Sequence, residues 1–175
     1  RADWIDCWIR HRQTGETSVK IIDCIQRSPE WFLARGGKPT ASRIADIITP
    51  TGKAKTGASW RRYMLELVNE RLTRQIKRGY KSQAMMRGIE LEPMARAWYR
   101  ETTGSAVQEI GIILDDSGRW GCSPDGVCDC TVPGKSRGLE IKCPEAPAFL
   151  EVMTSGELPP AHYIQCQFSL WVTGW

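Results

Sequence analysis

The chain has 175 residues, of which 41% are hydrophobic and 25% are charged, and this composition indicates a folded globular protein rather than a disordered or fibrous one. It contains no run of about 18 apolar residues, so we expect no transmembrane helix. The seven cysteines include no CxxC spacing and accompany only two histidines, which argues against a disulfide framework or a zinc site and favours a reducing cytosol.

Positive charge is concentrated in the middle of the chain, although the net charge is only +4. Between Lys53 and Lys81 there are nine Lys or Arg residues and two Glu residues, and nine minus two leaves +7 in this stretch. A basic stretch of this kind attracts a polyanion such as DNA at low salt. A solvated helix face is the alternative interpretation of the same pattern.

The predicted order of elements is helices, then strands, then helices. Periodicity and breaker residues predict helices near 28–35, 40–49, 58–78, 83–102, 147–153 and 160–172, a strand over 107–114, and two more strands beside Asp125 and Glu140. This order indicates an α+β or α/β domain over residues 28–175, with a sheet flanked by helices. Residues 1–27 form a segment of unassigned role. The apolar C-terminal end leads us to expect that the domain is truncated at Trp175.

Two acidic residues belong to the predicted strand pair. Asp125 follows Pro124 at the start of one strand, and Glu140 belongs to Leu139-Glu140-Ile141-Lys142 in the other. If the strands pair, the two carboxylates come close, and strand alternation puts Glu140 and Lys142 on one face. Two carboxylates suit Mg²⁺, and a lysine beside them can orient or deprotonate a water or stabilise charge on phosphorus. Taken separately, Pro-Asp-Gly is also a common turn and Glu-x-Lys a common solvated pair.

The order Pro-Asp, spacer, Glu-x-Lys is that of the PD-(D/E)xK nucleases, and further motifs accompany it. These motifs are, in chain order, Trp31-Phe32-Leu33-Ala34-Arg35-Gly36, Thr40-Ala41-Ser42, Arg87-Gly88-Ile89-Glu90-Leu91-Glu92, Cys122-Ser123-Pro124-Asp125-Gly126, Leu139-Glu140-Ile141-Lys142-Cys143-Pro144, Tyr163-Ile164-Gln165-Cys166-Gln167 and Leu170-Trp171-Val172. With these motifs in this order, the chain resembles the lambda exonuclease and YqaJ-type viral recombinase family from about Ser28 to its end.

The resemblance implies a restriction-endonuclease-like PD-(D/E)xK core with a central mixed sheet flanked by helices. The implied activity is a Mg²⁺-dependent 5′ to 3′ exonuclease of double-stranded DNA, with Mn²⁺ as a substitute, that leaves 3′ single-stranded tails for phage-type homologous recombination. The implied partners are duplex DNA with 5′-phosphorylated ends, a single-strand annealing protein and two further copies in a homotrimer, with no membrane. The implied setting is a phage or prophage gene expressed in the bacterial cytoplasm.

The resemblance also implies a set of residues around the metal. Asp125 and Glu140 resemble the metal-binding acids, and the backbone carbonyl of Ile141 resembles a further ligand. Glu92 resembles a helix glutamate near the metals, with Glu90 as its rival, since helical geometry lets only one of the two face the site fully.

The other implied site residues act on water and on the end of the DNA. Lys142 resembles the catalytic lysine, and Gln165 resembles the active-site glutamine of a late helix. The residues that resemble those holding the 5′-phosphate are Arg35, Ser42 and Ser123, with Lys53 as a basic residue of the following loop. Alternatively, Arg35 is a helix-end cation, Ser42 a helix cap, and Gln165 a partner for a sheet edge.

Two rival functions remain open on the sequence. An endonuclease of the same fold has no need of a terminal phosphate, so dependence on a 5′-phosphate separates it from the exonuclease. A DNA-binding module that does not cut is the second rival. The presence of Asp125, Glu140 and Lys142 together argues against it.

Overall fold

The computed structural model describes residues 19–76, 82–129 and 136–175, and these residues divide into two compact units. The first unit contains residues 19–76, Gly111–Ser123 and Pro160–Gly174, and the second contains residues 82–110, 124–129 and 136–159 together with Trp175. Some sequence predictions fall outside these ranges. They concern the N-terminal segment at 1–18, the basic residues Lys77, Arg78 and Lys81, and the link at 130–135 between the two central strands.

The elements alternate between the two units along the chain. In chain order they are β1 (Lys20–Ile22), α1 (Pro29–Arg35), a 3-10 helix (Ala41–Asp46), α2 (Ala58–Thr73), α3 (Gln83–Thr103), β2 (Val107–Gln108), β3 (Ile112–Leu114), β4 (Gly121–Cys122), β5 (Gly126–Asp129), β6 (Ser136–Leu139), α4 (Ala146–Ser155) and α5 (Pro160–Thr173). Each predicted helix is present, although the second is a 3-10 helix and α2 ends earlier than residue 78.

Helix α1 begins and ends as its sequence predicts. The Ser28 side chain accepts a hydrogen bond from the backbone N–H of Trp31 at 3.2 Å, and Pro29 occupies the first turn, where no intrahelical donor is needed. The helix stops before Gly36. Its buried residue is Trp31, which is 7% exposed.

The sheet of the first unit has the strand order β1-β3-β4, with all pairs antiparallel. Its middle strand β3 is buried, and the unit's core cluster joins Ile112 and Leu114 to Trp31. Because β1 pairs with β3 along its whole length, residues 20–22 belong to this folded unit.

The sheet of the second unit has the strand order β2-β5-β6, again antiparallel. The predicted pairing of the two central strands is confirmed, with Gly126 opposite Leu139 and Asp129 opposite Ser136. A Cβ atom at Gly126 would clash with the side chain of Val107 in β2. The close approach of these strands therefore requires glycine directly after Asp125.

Two strand predictions were wrong in their extent. The single strand predicted over 107–114 is divided between β2 and β3, which belong to different sheets. Its interruption lies at Gly111, whose backbone packs so closely on Cys24 and Ile22 that no side chain fits there. The second central strand ends at Leu139, so Glu140 and Lys142 lie just beyond it.

The sheets also differ from a single mixed sheet. In the described residues, strand pairing forms two three-stranded antiparallel sheets, and parallel pairing is limited to an isolated bridge between Thr40 and Gly121.

No helix of the described ranges is long and apolar enough to cross a membrane. No disulfide joins the cysteines of these ranges, and Cys122 and Cys128 are buried.

Candidate active site

Asp125 and Glu140 meet at one end of the β5–β6 pair. Asp125 directly precedes β5 and Glu140 directly follows β6, and antiparallel pairing places these two ends side by side. The backbone N–H of Asp125 donates to the Leu139 carbonyl at 2.9 Å. The backbone N–H of Ile141 donates to Asp125 Oδ2 at 2.6 Å. Hydrogen bonds to the residues on both sides of Glu140 thus hold the two acids together.

The electrostatics of Asp125 reflect this crowding. Burial, followed by the Glu140 carboxylate, raises the pKa of Asp125 from 3.8 to about 6. Glu92 also raises this pKa, whereas the N–H of Ile141 and the ammonium of Lys142 lower it. Burial and two neighbouring carboxylates therefore disfavour the ionised form of Asp125, and a bound cation would favour it. We refer to Asp125, Glu140 and Glu92 as the acid cluster.

Lys142 contacts the acid cluster directly. Its ammonium lies 2.5 Å from Glu140 Oε1, and the two side chains are 37% and 16% exposed, respectively. Strand alternation does not account for this contact, because β6 has already ended at Leu139. The structure nevertheless brings both carboxylates and the ammonium into one small volume.

Glu92 is held by an arginine that sequence reasoning missed. Glu92 is buried on α3 whereas Glu90 is exposed, and Glu92 acts on the pKa of Asp125, so Glu92 rather than Glu90 belongs with Asp125 and Glu140. Arg96, one helical turn later, donates to Glu92 Oε1 at 2.6 Å and to the backbone carbonyl of Asp125 at 2.8 Å. Arg96 also pairs with Glu109 at 2.9 Å. The i, i+4 spacing of Glu92 and Arg96 was the available sequence signal.

The oxygen donors of the acid cluster fit Mg²⁺. In the described ranges, no group of three or more His, Cys, Asp or Glu side chains is arranged to hold a metal ion alone. Mg²⁺ does not require such a group, since it binds through one or two carboxylates and keeps several waters. Asp125 and Glu140 supply two carboxylates, and Ile141, which follows Glu140 in the chain, has a backbone carbonyl of the hard oxygen type that Mg²⁺ accepts.

The residues predicted to hold a 5′-phosphate lie in the first unit. The guanidinium of Arg35 donates to Ser42 Oγ at 3.0 Å and lies over the ring of Trp31, 4.8 Å from its centroid. The indole N–H of Trp31 donates to Ser123 Oγ at 2.9 Å. We refer to Arg35, Ser42 and Ser123 as the Arg35 cluster.

Two features of the Arg35 cluster bear on its function. Ser42 is not a helix cap, because Thr40 occupies the cap position of the 3-10 helix and the Ser42 hydroxyl is used by Arg35. Burial is the main cause that lowers the pKa of Arg35, with Tyr63 and Glu70 opposing that shift and Arg43 adding to it. The cluster thus contains a half-buried guanidinium hydrogen-bonded to the Ser42 hydroxyl, and a second hydroxyl, that of Ser123, held by Trp31.

The remaining predicted residues are also in the first unit. Gln165 is 9% exposed on α5, and its backbone carbonyl accepts a hydrogen bond from Ser169. Lys53 is exposed, and its backbone N–H donates to Thr49 Oγ1 at 3.1 Å. Lys53 therefore presents its side chain from a turn that its own backbone closes. The chemical roles of both residues stay predictions.

Comparison with known proteins agrees with the motifs of this site. A family model described as the YqaJ-like viral recombinase domain matches residues 30–175. The chain belongs to this family. The YqaJ-like chain is also similar to the crystal structure of an alkaline exonuclease from Laribacter hongkongensis, with 39% identity and a TM-score of 0.71 over 84% of this chain and 69% of that one. The structure of the same exonuclease in complex with dAMP gives the same values. No curated protein gives a significant match.

The comparisons confirm the family resemblance and the fold class. The alkaline exonuclease is of the PD-(D/E)xK type, and the YqaJ-like chain shares its mixed α/β construction. The match begins at residue 30, close to the predicted start at residue 28. Strand β1 lies before both positions, yet it pairs with β3 in the described structure.

Proposed function

We propose that this YqaJ-like chain is a Mg²⁺-dependent 5′ to 3′ exonuclease that digests one strand of duplex DNA and leaves 3′ single-stranded tails for recombination. The observation that carries the proposal is the arrangement of Asp125, Glu140 and Lys142 at the end of the β5–β6 pair. Membership of a viral recombinase family and similarity to an alkaline exonuclease support the choice of DNA as substrate.

The acid cluster would hold the metal. Asp125 and Glu140 would bind Mg²⁺ through carboxylate oxygens, with the Ile141 carbonyl as a further ligand and Glu92 close by. When bound, Mg²⁺ or Mn²⁺ lowers the pKa of a water so that it ionises near neutral pH, and the ion itself neutralises charge on the phosphate. The N–H of Ile141 donates to Asp125 Oδ2 and fixes the orientation of the carboxylate that would help to hold the metal.

Lys142 and Gln165 would act on the attacking water and on the developing charge. As an ammonium beside Glu140, Lys142 stabilises negative charge on phosphorus and orients the water through hydrogen bonds. Gln165 has both an amide donor and an amide acceptor, so it suits a water that must be held in one orientation.

The Arg35 cluster would bind the 5′-phosphate at the end being digested. Arg35 offers a planar fork of N–H donors, and Ser42 and Ser123 offer hydroxyls, which together match the oxygens of a terminal phosphate. Lys53 adds a positive charge on an exposed loop that follows the 3-10 helix. Binding of the end phosphate sets both the direction and the register of digestion.

The proposed setting follows the family resemblance. We propose a homotrimer encoded by a phage or prophage and working in the bacterial cytoplasm. A single-strand annealing protein is its expected partner, because the 3′ tails are the substrate that such a protein binds.

The experiment that tests the activity is digestion of three duplex substrates in Mg²⁺, Mn²⁺ or EDTA. The substrates are linear DNA with 5′-phosphates, the same DNA with 5′-hydroxyls, and closed circles. We expect metal-dependent release of nucleotides, fastest from 5′-phosphorylated linear DNA, with circles intact. Nicked or linearised circles would instead indicate an endonuclease, and no cutting of any substrate would indicate a DNA-binding module.

Metal binding is tested separately from cutting by thermal unfolding with and without Mg²⁺. A ligand at about 100 times its dissociation constant stabilises a folded protein by about 2.7 kcal/mol, so the unfolding temperature should rise with Mg²⁺. Asp125→Asn should abolish this rise. Glu151→Gln changes an exposed glutamate on α4 and should preserve it. An equal rise in both variants would place the metal elsewhere.

A further inference from the structure

We propose that Trp31 is a positioning residue for recognition of the DNA end, because its indole orients the Ser123 hydroxyl and supports the Arg35 guanidinium. This inference rests on the proposed function of the Arg35 cluster. Trp31 is the residue through which Arg35 and Ser123 are linked, although these two lie on separate segments of the first unit. Trp31 itself would not touch the phosphate.

The first step concerns Ser123. The indole N–H of Trp31 is shared between the Gly111 carbonyl, at 3.1 Å, and Ser123 Oγ, at 2.9 Å. An indole nitrogen is a donor only, so the Ser123 oxygen must be the acceptor of this bond. The O–H proton of Ser123 is consequently directed away from the indole, where it can be donated to an anion.

The second step concerns Ser42, whose hydroxyl oxygen is also a hydrogen-bond acceptor. The Arg35 guanidinium is a donor only, so the oxygen of Ser42 accepts its hydrogen bond at 3.0 Å. The Thr40 hydroxyl lies 3.5 Å from Ser42 Oγ, a distance at which a hydrogen bond is weak. Both serines of the cluster thus have an oxygen occupied by a protein donor and a proton available to a ligand.

The third step concerns the charge. In residues 19–76, 82–129 and 136–175, no carboxylate lies within 4.0 Å of the Arg35 guanidinium, whereas Arg43 is paired with both Asp46 and Glu66. The aromatic face of Trp31 covers Arg35 without neutralising it. A half-buried cation with two outward O–H donors suits a phosphate monoester, which has more charge and more acceptor oxygens than a hydroxyl end.

The indole therefore supports two of the three groups that distinguish a phosphorylated end. It is 7% exposed, and its N–H is fixed by two acceptors, so its orientation is not free to change. Removing its N–H while keeping an aromatic face should release Ser123 and leave Arg35 in place. This separation makes the inference testable by a single substitution.

The experiment compares binding of a duplex with a 5′-phosphate and the same duplex with a 5′-hydroxyl, measured by fluorescence anisotropy in EDTA so that no cutting occurs. The variants are Trp31→Phe, Ser123→Ala and the double variant. We expect each single change to lower the preference for the phosphorylated end about fivefold, the value of one hydrogen bond of about 1 kcal/mol. The double variant should lose no more than either single variant, because both remove the same interaction.

Trp98→Phe is the matched control, since Trp98 is 66% exposed on α3 and is not part of the Arg35 cluster. It should leave the preference unchanged. Urea unfolding of each variant checks the fold. A loss of stability alone would weaken binding to both duplexes equally and would not alter their ratio.

The outcomes separate the inference from the proposed function. Additive losses in the double variant, or a full preference in Trp31→Phe, would overturn the positioning role while leaving end-phosphate recognition intact. Equal binding of both duplexes by the unchanged protein would overturn end-phosphate recognition itself, and the positioning role with it. A shared, non-additive loss would establish that Ser123 acts only when Trp31 orients it.

Discussion

The acid cluster and the Arg35 cluster differ in whether the protein pairs their charged side chains with groups of opposite charge. In the acid cluster the protein supplies its own cations, since Lys142 pairs with Glu140 and Arg96 pairs with Glu92. Asp125 nevertheless keeps a raised pKa, because burial and the Glu140 and Glu92 carboxylates disfavour its ionised form. In the Arg35 cluster the protein supplies hydroxyls and an aromatic face, and in the described ranges no carboxylate lies within 4.0 Å of the guanidinium.

This difference indicates what each cluster requires from a ligand. The acid cluster is already organised by internal ion pairs and lacks additional positive charge, which a divalent cation provides. The Arg35 cluster is organised by hydrogen bonds and lacks negative charge, which a phosphate provides. Substitutions in the acid cluster should therefore change cutting and stability, whereas substitutions in the Arg35 cluster should change the preference for phosphorylated ends. Of these properties, cutting should change most and end preference least.

The largest expected effect is on cutting. Lys142→Ala should reduce the rate of hydrolysis of 5′-phosphorylated linear duplex by about 10²- to 10⁴-fold, because it removes the ammonium nearest to Glu140. Binding of the same DNA in EDTA should change little. Lys20→Ala, which alters an exposed lysine of β1, is the control. Hydrolysis at the normal rate by Lys142→Ala would remove this residue from the mechanism.

The next effect is on stability and tests how far the acid cluster depends on its internal cations. Arg96→Ala leaves a buried Glu92 without its partner and should lower the free energy of unfolding by about 3 to 5 kcal/mol. Urea unfolding measures this change. Arg100→Ala alters an exposed arginine of the same helix and should cost far less. Equal costs would show that Arg96 contributes no more than a surface residue.

A smaller effect of opposite sign is expected for Asp125→Asn in metal-free protein. Between pH 3.8 and about 6 the folded state binds more protons than the unfolded state, so stability falls as the pH rises through this window. Removing the carboxyl should therefore stabilise the protein by about 1 to 3 kcal/mol at pH 8 in EDTA, and much less at pH 4.5.

Urea unfolding at both pH values measures this difference. Asp116→Asn changes an exposed aspartate of the turn after β3 and is the matched control. A stability gain for Asp125→Asn that does not depend on pH would mean that the cost of ionising Asp125, from burial and from neighbouring carboxylates, is not its cause.

The smallest effect concerns the Arg35 cluster. Arg35→Ala should lower the preference for 5′-phosphorylated over 5′-hydroxyl ends about tenfold, because a charge-assisted hydrogen bond to phosphate is lost. General binding should fall less. Arg119→Ala alters an exposed arginine of the first unit and should leave the preference unchanged. Equal losses on both kinds of end would make Arg35 a structural residue.

Local features of the sequence predicted much of the fold and of the acid cluster. The cap at Ser28 and the pairing that brings Asp125 to Glu140 depend on residues close together or on one repeating pattern. The break at Gly111 was not predicted, because it results from close packing on Cys24 and Ile22, far away in the chain. Periodicity contains no information about such contacts.

The supporting residues of the two clusters escaped prediction for the same reason. Trp31 is buried in the core of the first unit, but its hydrogen bond to Ser123 spans 92 positions. Arg96 contacts Glu92 within one helix, yet its bond to the Asp125 carbonyl spans 29 positions. Such contacts follow from tertiary packing, and the residue types alone do not specify them.

The hydrogen bond from Ile141 to Asp125 makes one backbone amide a probe of whether the Asp125 carboxylate is in place in the acid cluster. Ile141 lies beyond the end of β6, so its N–H is not held by the strand ladder but by the side chain of Asp125. Its hydrogen exchange is therefore slow only while that carboxylate is in place. In an NMR spectrum, a single amide signal would distinguish molecules with an assembled site from molecules in which only the sheet has formed.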